Sequence, residues 1–242
     1  MMKIELQNIQ SLDDILSSFF ATLAAEEATL SSMPPLLMAM RDMYVQNPTS
    51  SIDTFSLDDE AIAMTINQLK SHLHDCPADC LKLLNMPLTY LMDELICNIQ
   101  QHAKTERGYA FSKYDAATKT IEIMIADMGI TIYGSYVSAQ KHLEKLGNSD
   151  AEALNLARNG YSVKNLPDTE NRGYGISSNI RMVVEGLRGE FAVMSGNALL
   201  IQSATQKKIL SLPKEIDYKG TMVIVRIPAI VPEGFNLYNY TG

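Results

Sequence analysis

The chain has 242 residues, of which 46% are apolar, and a formal net charge of −8. That is enough apolar material for one large or two small cored domains, and no apolar run approaches the ~20 residues of a membrane span. An acidic chain without a Lys/Arg cluster disfavours nucleic acid as its main partner, because phosphate backbones are held by concentrated positive charge.

The opening Met1-Met2-Lys3-Ile4-Glu5-Leu6 lacks the apolar core of a secretion signal, so the cytoplasm is the expected compartment. Residues 11–46 carry helical periodicity, with Leu12, Ile15, Leu16, Phe19, Phe20 and Leu23 as one apolar stripe and a break at Pro34-Pro35. A further helix is predicted from about Leu57 to His74, started by Ser56, with Asp58, Asp59 and Glu60 in its first turn. Residues 1–80 therefore read as an α-rich region of unassigned role, and residues 81–242 as the domain that carries the chemistry. His72, His74, Cys76 and Cys80 could supply four zinc ligands. Their spacing is not that of a common zinc module, and a helix end followed by a proline turn accounts for the same string. Cys97 reads as a small buried apolar residue.

From residue 86 the pattern becomes mixed α and β. Pro87 suits the first position of a helix running to about Lys104. Four-residue steps put Glu94, Asn98 and His102 on one side of that helix. A carboxylate with a carboxamide four residues on can orient a water and ligate a hard cation through oxygen, which suits phosphate chemistry; a solvated polar stripe is the competing reading. Tyr109 to Tyr114 and Lys119 to Asp127 read as a hairpin across residues 115–118. Short helices are predicted around residues 136–146 and 150–159, then a polar loop over residues 162–170, then a helix from Gly175 to Leu187. Strands follow at residues 190–194 and 198–202 with Ser195-Gly196-Asn197 as the turn, and a last strand runs from Gly220 to Ile227. This order predicts an α+β fold: a two-layer sandwich with a mixed, mostly antiparallel sheet of four or five strands and helices on one face.

Four segments stand out in order: Glu94 to His102, Thr120 to Ile130 ending in Asp127-Met128-Gly129, Asn171-Arg172-Gly173-Tyr174-Gly175-Ile176, and Gly220-Thr221 opening the last strand. Together they resemble the N, G1, G2 and G3 boxes of the GHKL (Bergerat-fold) ATPase superfamily, nearest to its anti-sigma-factor serine kinases and stand-alone histidine-kinase-like ATPase domains. The resemblance covers about residues 85–228. It implies ATP and Mg²⁺ as cofactors. Glu94 would be the general base, Asn98 the Mg²⁺ ligand, and Asp127 the residue that reads adenine by accepting from its exocyclic amine, with Gly129 letting the backbone approach the base. Gly173, Gly175 and Ile176 would present backbone N–H groups to the phosphates. Lys164 and Arg172 would reach the terminal phosphate from a lid over residues 133–172, His102 could contact nucleotide, and Thr221 would close the site near adenine.

Thr131 stands where the family pattern has its second glycine. A β-branched residue disfavours positive φ, so the entry to the lid is expected to be stiff and its motion to fall on Gly160 and residues 162–171. The implied activity is Mg-dependent ATP hydrolysis, or γ-phosphate transfer to a regulatory protein partner in signal transduction; a non-catalytic ATP-sensing module is the alternative. The resemblance leaves room for a homodimer. A self-contained histidine kinase fits poorly, because only 19 residues separate His74 from Glu94 and Pro77 would break a phosphoacceptor helix just past the histidine.

Overall fold

A computed structural model describes residues 53–163, 175–212 and 217–241. The helices expected within residues 11–46 lie outside the described residues, as do Lys164, Arg172 and Gly173. The fold is α+β. Seven strands form one open antiparallel sheet in the order β1-β2-β3-β7-β4-β5-β6, with seven α-helices among the described residues. The strands are β1 (Asp53–Ser56), β2 (Arg107–Asp115), β3 (Thr120–Asp127), β4 (Glu190–Gly196), β5 (Ala198–Gln202), β6 (Lys207–Ser211) and β7 (Tyr218–Pro228). No parallel pairing occurs among them, where a mixed sheet of four or five strands is the expectation from sequence.

The helices are α1 (Asp59–Ser71), α2 (Ala78–Asn98), α3 (Ile132–Ala139), α4 (Leu143–Leu146), α5 (Asp150–Arg158), α6 (Ile176–Ile180) and α7 (Tyr238–Thr241). Two of them widen into π-helical turns at their C-terminal ends, α2 through Ile99–Ala103 and α6 through Arg181–Gly186. No helix among the described residues is long and apolar enough to cross a membrane.

Asp58 starts α1. Its Oδ1 accepts the Ala61 N–H at 2.9 Å, and Asp59 and Glu60 occupy the positive end of the helix. Ile62, Ile66 and Leu69 form the buried stripe at the expected spacing. Past this helix the local string His72 to Cys80 divides. Cys76 and Cys80 point into the core, and burial pushes the Cys76 thiol up to about 12. His74 is exposed beside Asp75, and His72 faces Asp53 at 3.7 Å. Among the described residues no group of three or more His, Cys, Asp and Glu is placed to hold a metal ion.

The helix expected to open at Pro87 begins nine residues earlier, after Pro77, so that Pro87 sits in its interior. An interior proline lacks an N–H and costs on the order of 3 kcal/mol in an isolated helix. Leu84, Leu88, Leu91, Met92, Leu95 and Ile96 all bury on the sheet, and burial of ~1.5–3 kcal/mol per large side chain outweighs that defect. A boundary after residue 80 therefore falls inside α2. Phe55, Leu69, Leu73 and Cys80 share one core with Ile123, Val193, Val225 and Phe191 of the sheet.

The 115–118 turn pairs Asp115 with Thr120, and Asp115 Oδ1 accepts the Ala117 N–H at 2.8 Å. The second hairpin pairs Ser195 with Ala198. β1 and β6, the two edge strands, have no counterpart in the sequence reading.

Candidate functional site

One cleft opens between α2, α3, the end of α5 and the near face of β3 and β7. It measures about 850 Å³, counting open space at its mouth. Leu95, Ile99, Ile125, Ile130, Ile132 and Val223 give it apolar walls, and the polar groups are few: Asn98, His102, Asp127, Ser135 and Thr221 among them. A mainly apolar slot with a few placed polar groups is the usual form of a small-molecule site.

Asp127 is the last residue of β3 and is only 3% exposed. Its Oδ1 accepts the Gly129 N–H at 2.8 Å. Removal from water raises its carboxyl to about 7, against hydrogen bonds from the backbone at Gly129 and Thr221 that favour the charged form. The strand end is held from the other side by Tyr218, whose hydroxyl donates to the Asp127 carbonyl at 2.8 Å. Gly220 crosses here with φ 117, and a Cβ on it would sit 2.1 Å from that same carbonyl oxygen, so only glycine fits. Thr221 lines the cleft beside Ser195, whose Oγ donates to the Gly220 carbonyl and accepts the Ile132 N–H, both at 2.9 Å. Ser195 thus ties β4, β7 and α3 together behind Asp127.

Gly129 has a structural reason to be glycine. A Cβ there would lie 1.8 Å from the Ala103 carbonyl oxygen, and the next residue, Ile130, donates its N–H to that oxygen at 2.7 Å. The close approach is to the end of the α2 helix, and it closes the cleft floor. Thr131 also differs from a hinge. It has φ −70 and ψ 169 and caps α3, its Oγ1 accepting the Gly134 N–H at 3.0 Å. Positive φ is not needed here, which is why a threonine fits. Thr131→Ala is expected to cost about 1 kcal/mol of stability and Thr131→Gly only a few tenths, since glycine also serves as an N-cap; denaturant midpoints of the two variants would separate these values.

Asn98 and His102 line the cleft, His102 from the π-helical turn. Glu94, one turn before Asn98, is not among the lining residues. Gly175 and Ile176 enter the cleft at the start of α6, and a Cβ on Gly175, whose φ is 102, would lie 3.8 Å from Asn98 Oδ1. Asn98 Nδ2 is buried without a hydrogen-bond partner among the described residues, which leaves one donor of this amide unsatisfied. The structure therefore brings Asn98, His102, Asp127, Gly175, Ile176 and Thr221 to one cleft.

The lid expected over residues 133–172 includes α3 and the chain after α5, but sequence reasoning named none of the side chains that make this wall. Tyr136 is 2% exposed and donates to the Tyr161 carbonyl, and His142 Nε2 lies 3.1 Å from the Ser162 carbonyl. Lys145 sits 4.4 Å from the Tyr161 ring centre. These contacts hold Gly160 to Val163 as one side of the cleft. No local signal marks them, because each joins residues 16 to 25 apart in the chain. No family model matches the chain, and no curated protein matches it.

Proposed function

We propose that the cleft binds ATP with Mg²⁺ in the manner of the Bergerat fold, with adenine against Asp127 and the phosphates toward Gly175. The observation that carries this reading is a buried carboxylate at the inner end of an apolar slot, with Asn98 and the glycine start of α6 brought together nearby. A flat apolar ring with an edge amine satisfies such a slot, and an ionised carboxylate rejects guanine, which offers a carbonyl at that edge. Mg²⁺ would supply charge neutralisation at the phosphates and keep most of its shell as water and phosphate oxygen, so a single protein ligand is chemically sufficient. Asn98 would offer that ligand through its side-chain oxygen, Oδ1.

Gly175 N–H and the first turn of the α6 helix offer donors to the phosphates without a basic surface, which fits a chain of net charge −8. Glu94 would act as the base that draws a proton from water or from a partner's hydroxyl, giving ATP hydrolysis or serine phosphorylation of a regulatory partner. Lys164, Arg172 and Gly173 would complete the phosphate end. A second reading, ATP sensing without turnover, is favoured by one observation: Glu94 is not part of the cleft lining.

Calorimetric titration with ATP and GTP, with and without Mg²⁺, tests the site. ATP should bind and GTP should not, and Asn98→Ala should abolish the Mg²⁺ dependence of ATP affinity. Equal affinities for ATP and GTP would remove the adenine assignment. Glu94→Ala should keep ATP binding while lowering label release or transfer from γ-labelled ATP by about 10²-fold; a wild-type protein that binds ATP and releases no label over hours selects the sensing module.

A further inference from the structure

The described helices cover one face of the sheet. Ile121, Ile123 and Ile125 of β3 and Val223, Val225 and Ile227 of β7 point into the core beneath them. Their neighbours along each strand point the other way, and the strand register aligns those residues in rows. Phe111, Met124, Ile224 and Ile201 fall in one row, and Met222, Met194 and Leu199 in the next. On the other side of the first row lies a charged one of alternating sign, Lys113–Glu122–Arg226–Glu190, at separations of 3.7, 3.6 and 3.8 Å. The seven apolar side chains are 1–6% exposed, yet none belongs to the core that the described helices form with the opposite face of the sheet.

Side chains of this size become that inaccessible only with other atoms over them. Three stretches of the chain are candidates. Residues 213–216 are too few. Residues 164–174 are mostly polar and run between Val163 and Gly175, both of which line the cleft on the opposite face. Residues 1–52 end where β1 begins, at the edge of this sheet. Crossing the four strands β3, β7, β4 and β5 takes ~15–20 Å at ~4.8 Å per strand, or ~10–13 residues of helix. Leu12, Ile15, Leu16, Phe19, Phe20 and Leu23 supply an apolar stripe of that length at helical spacing.

We propose that residues 11–46 dock on this second face as an intramolecular layer, placing their apolar stripe over Met124, Met194, Met222 and Ile224. This layer lies behind the two strands that carry Asp127 and Thr221, and its docking does not depend on what the cleft binds.

The test uses the full chain with photo-methionine at positions 124, 194 and 222. Irradiation should give cross-links within one chain to peptides from residues 11–46. Links between two chains would assign the cover to a second copy, and links to residues 164–174, to residues 213–216 or to no peptide of 11–46 would likewise overturn the proposal. A second measurement follows peroxide oxidation of individual methionines. In the wild type Met124, Met194 and Met222 should oxidise at least about tenfold more slowly than the exposed Met64 and Met86. In a Phe19→Asp/Phe20→Asp variant they should approach the rate of Met64, while Met92 and Met182, buried in the main core, stay protected. Unchanged protection of the three in that variant would overturn the docking. Loss of protection at Met92 and Met182 as well would mean that the variant has unfolded, and the cross-link map then decides.

Discussion

Asp127→Asn is expected to weaken ATP binding and, at neutral pH, to stabilise the protein. Both effects come from the same buried carboxyl. Its pKa stands at about 7 instead of 3.8 because burial disfavours the charge. Between those values the folded chain holds a proton that the unfolded chain has released. Stability on this account is full below about pH 4, falls as the pH rises through that window and levels off above about pH 7. At about 1.4 kcal/mol per pH unit the loss reaches up to about 4 kcal/mol.

An asparagine cannot ionise, and its carbonyl can still accept from Gly129. The variant should therefore gain up to about 4 kcal/mol over the wild type at pH 8 and nothing at pH 4, read from denaturant unfolding at both pH values. Its ATP affinity should drop by about 1–3 kcal/mol, the cost of mismatching a buried hydrogen bond. In the wild type, ATP affinity should rise as the pH climbs from 6 to 8, since only the ionised carboxyl is purely an acceptor. Parallel stability curves for the two proteins would dispose of the raised pKa, and an unchanged ATP affinity would dispose of the adenine contact.

The second large effect is expected at Gly129→Ala. The new Cβ would meet the Ala103 carbonyl oxygen at 1.8 Å and its carbon at 2.6 Å. Both obstacles are backbone, so no side-chain rotation relieves them. Either the loop after β3 moves away and the Ile130 to Ala103 hydrogen bond breaks, or the end of the α2 helix shifts. We expect a loss of about 3 kcal/mol or more, with nucleotide affinity falling too, because the same displacement moves Asp127 relative to His102 and Asn98. Chemical unfolding and an ATP titration measure the two. A variant as stable as wild type would show that this approach is looser than the structure has it.

Elements set by short-range chemistry are legible along the chain. The apolar spacing and the acidic first turn were sufficient for the α1 helix, and Asp115 and the Ser195-Gly196-Asn197 string were sufficient for two hairpins, because turns and caps are made by residues within four positions of one another. The β-rich apolar runs up to Asp127 and from Gly220 to Ile227 likewise marked β3 and β7. The clustering of Asn98, His102, Asp127, Gly175, Ile176 and Thr221 in one cleft was legible only through the order of four boxes, since no local pattern says that residues 98 and 175 meet.

Other features arise only from contacts between distant parts of the chain. β1 and β6 are four- and five-residue edge strands, Asp-Thr-Phe-Ser and Lys-Lys-Ile-Leu-Ser, too short and too polar for a strand pattern. They exist because β2 and β5 offer unpaired backbone groups along their outer edges. Pro87 reads as a helix start, and only the burial of its neighbours on the sheet keeps it inside α2. Gly129 and Thr131 read as parts of a nucleotide loop, whereas one answers to a carbonyl 26 residues earlier and the other caps the α3 helix. The charged row from Lys113 to Glu190 is invisible along the chain, because its four members come from four strands and meet only through the register that the apolar residues on both faces impose.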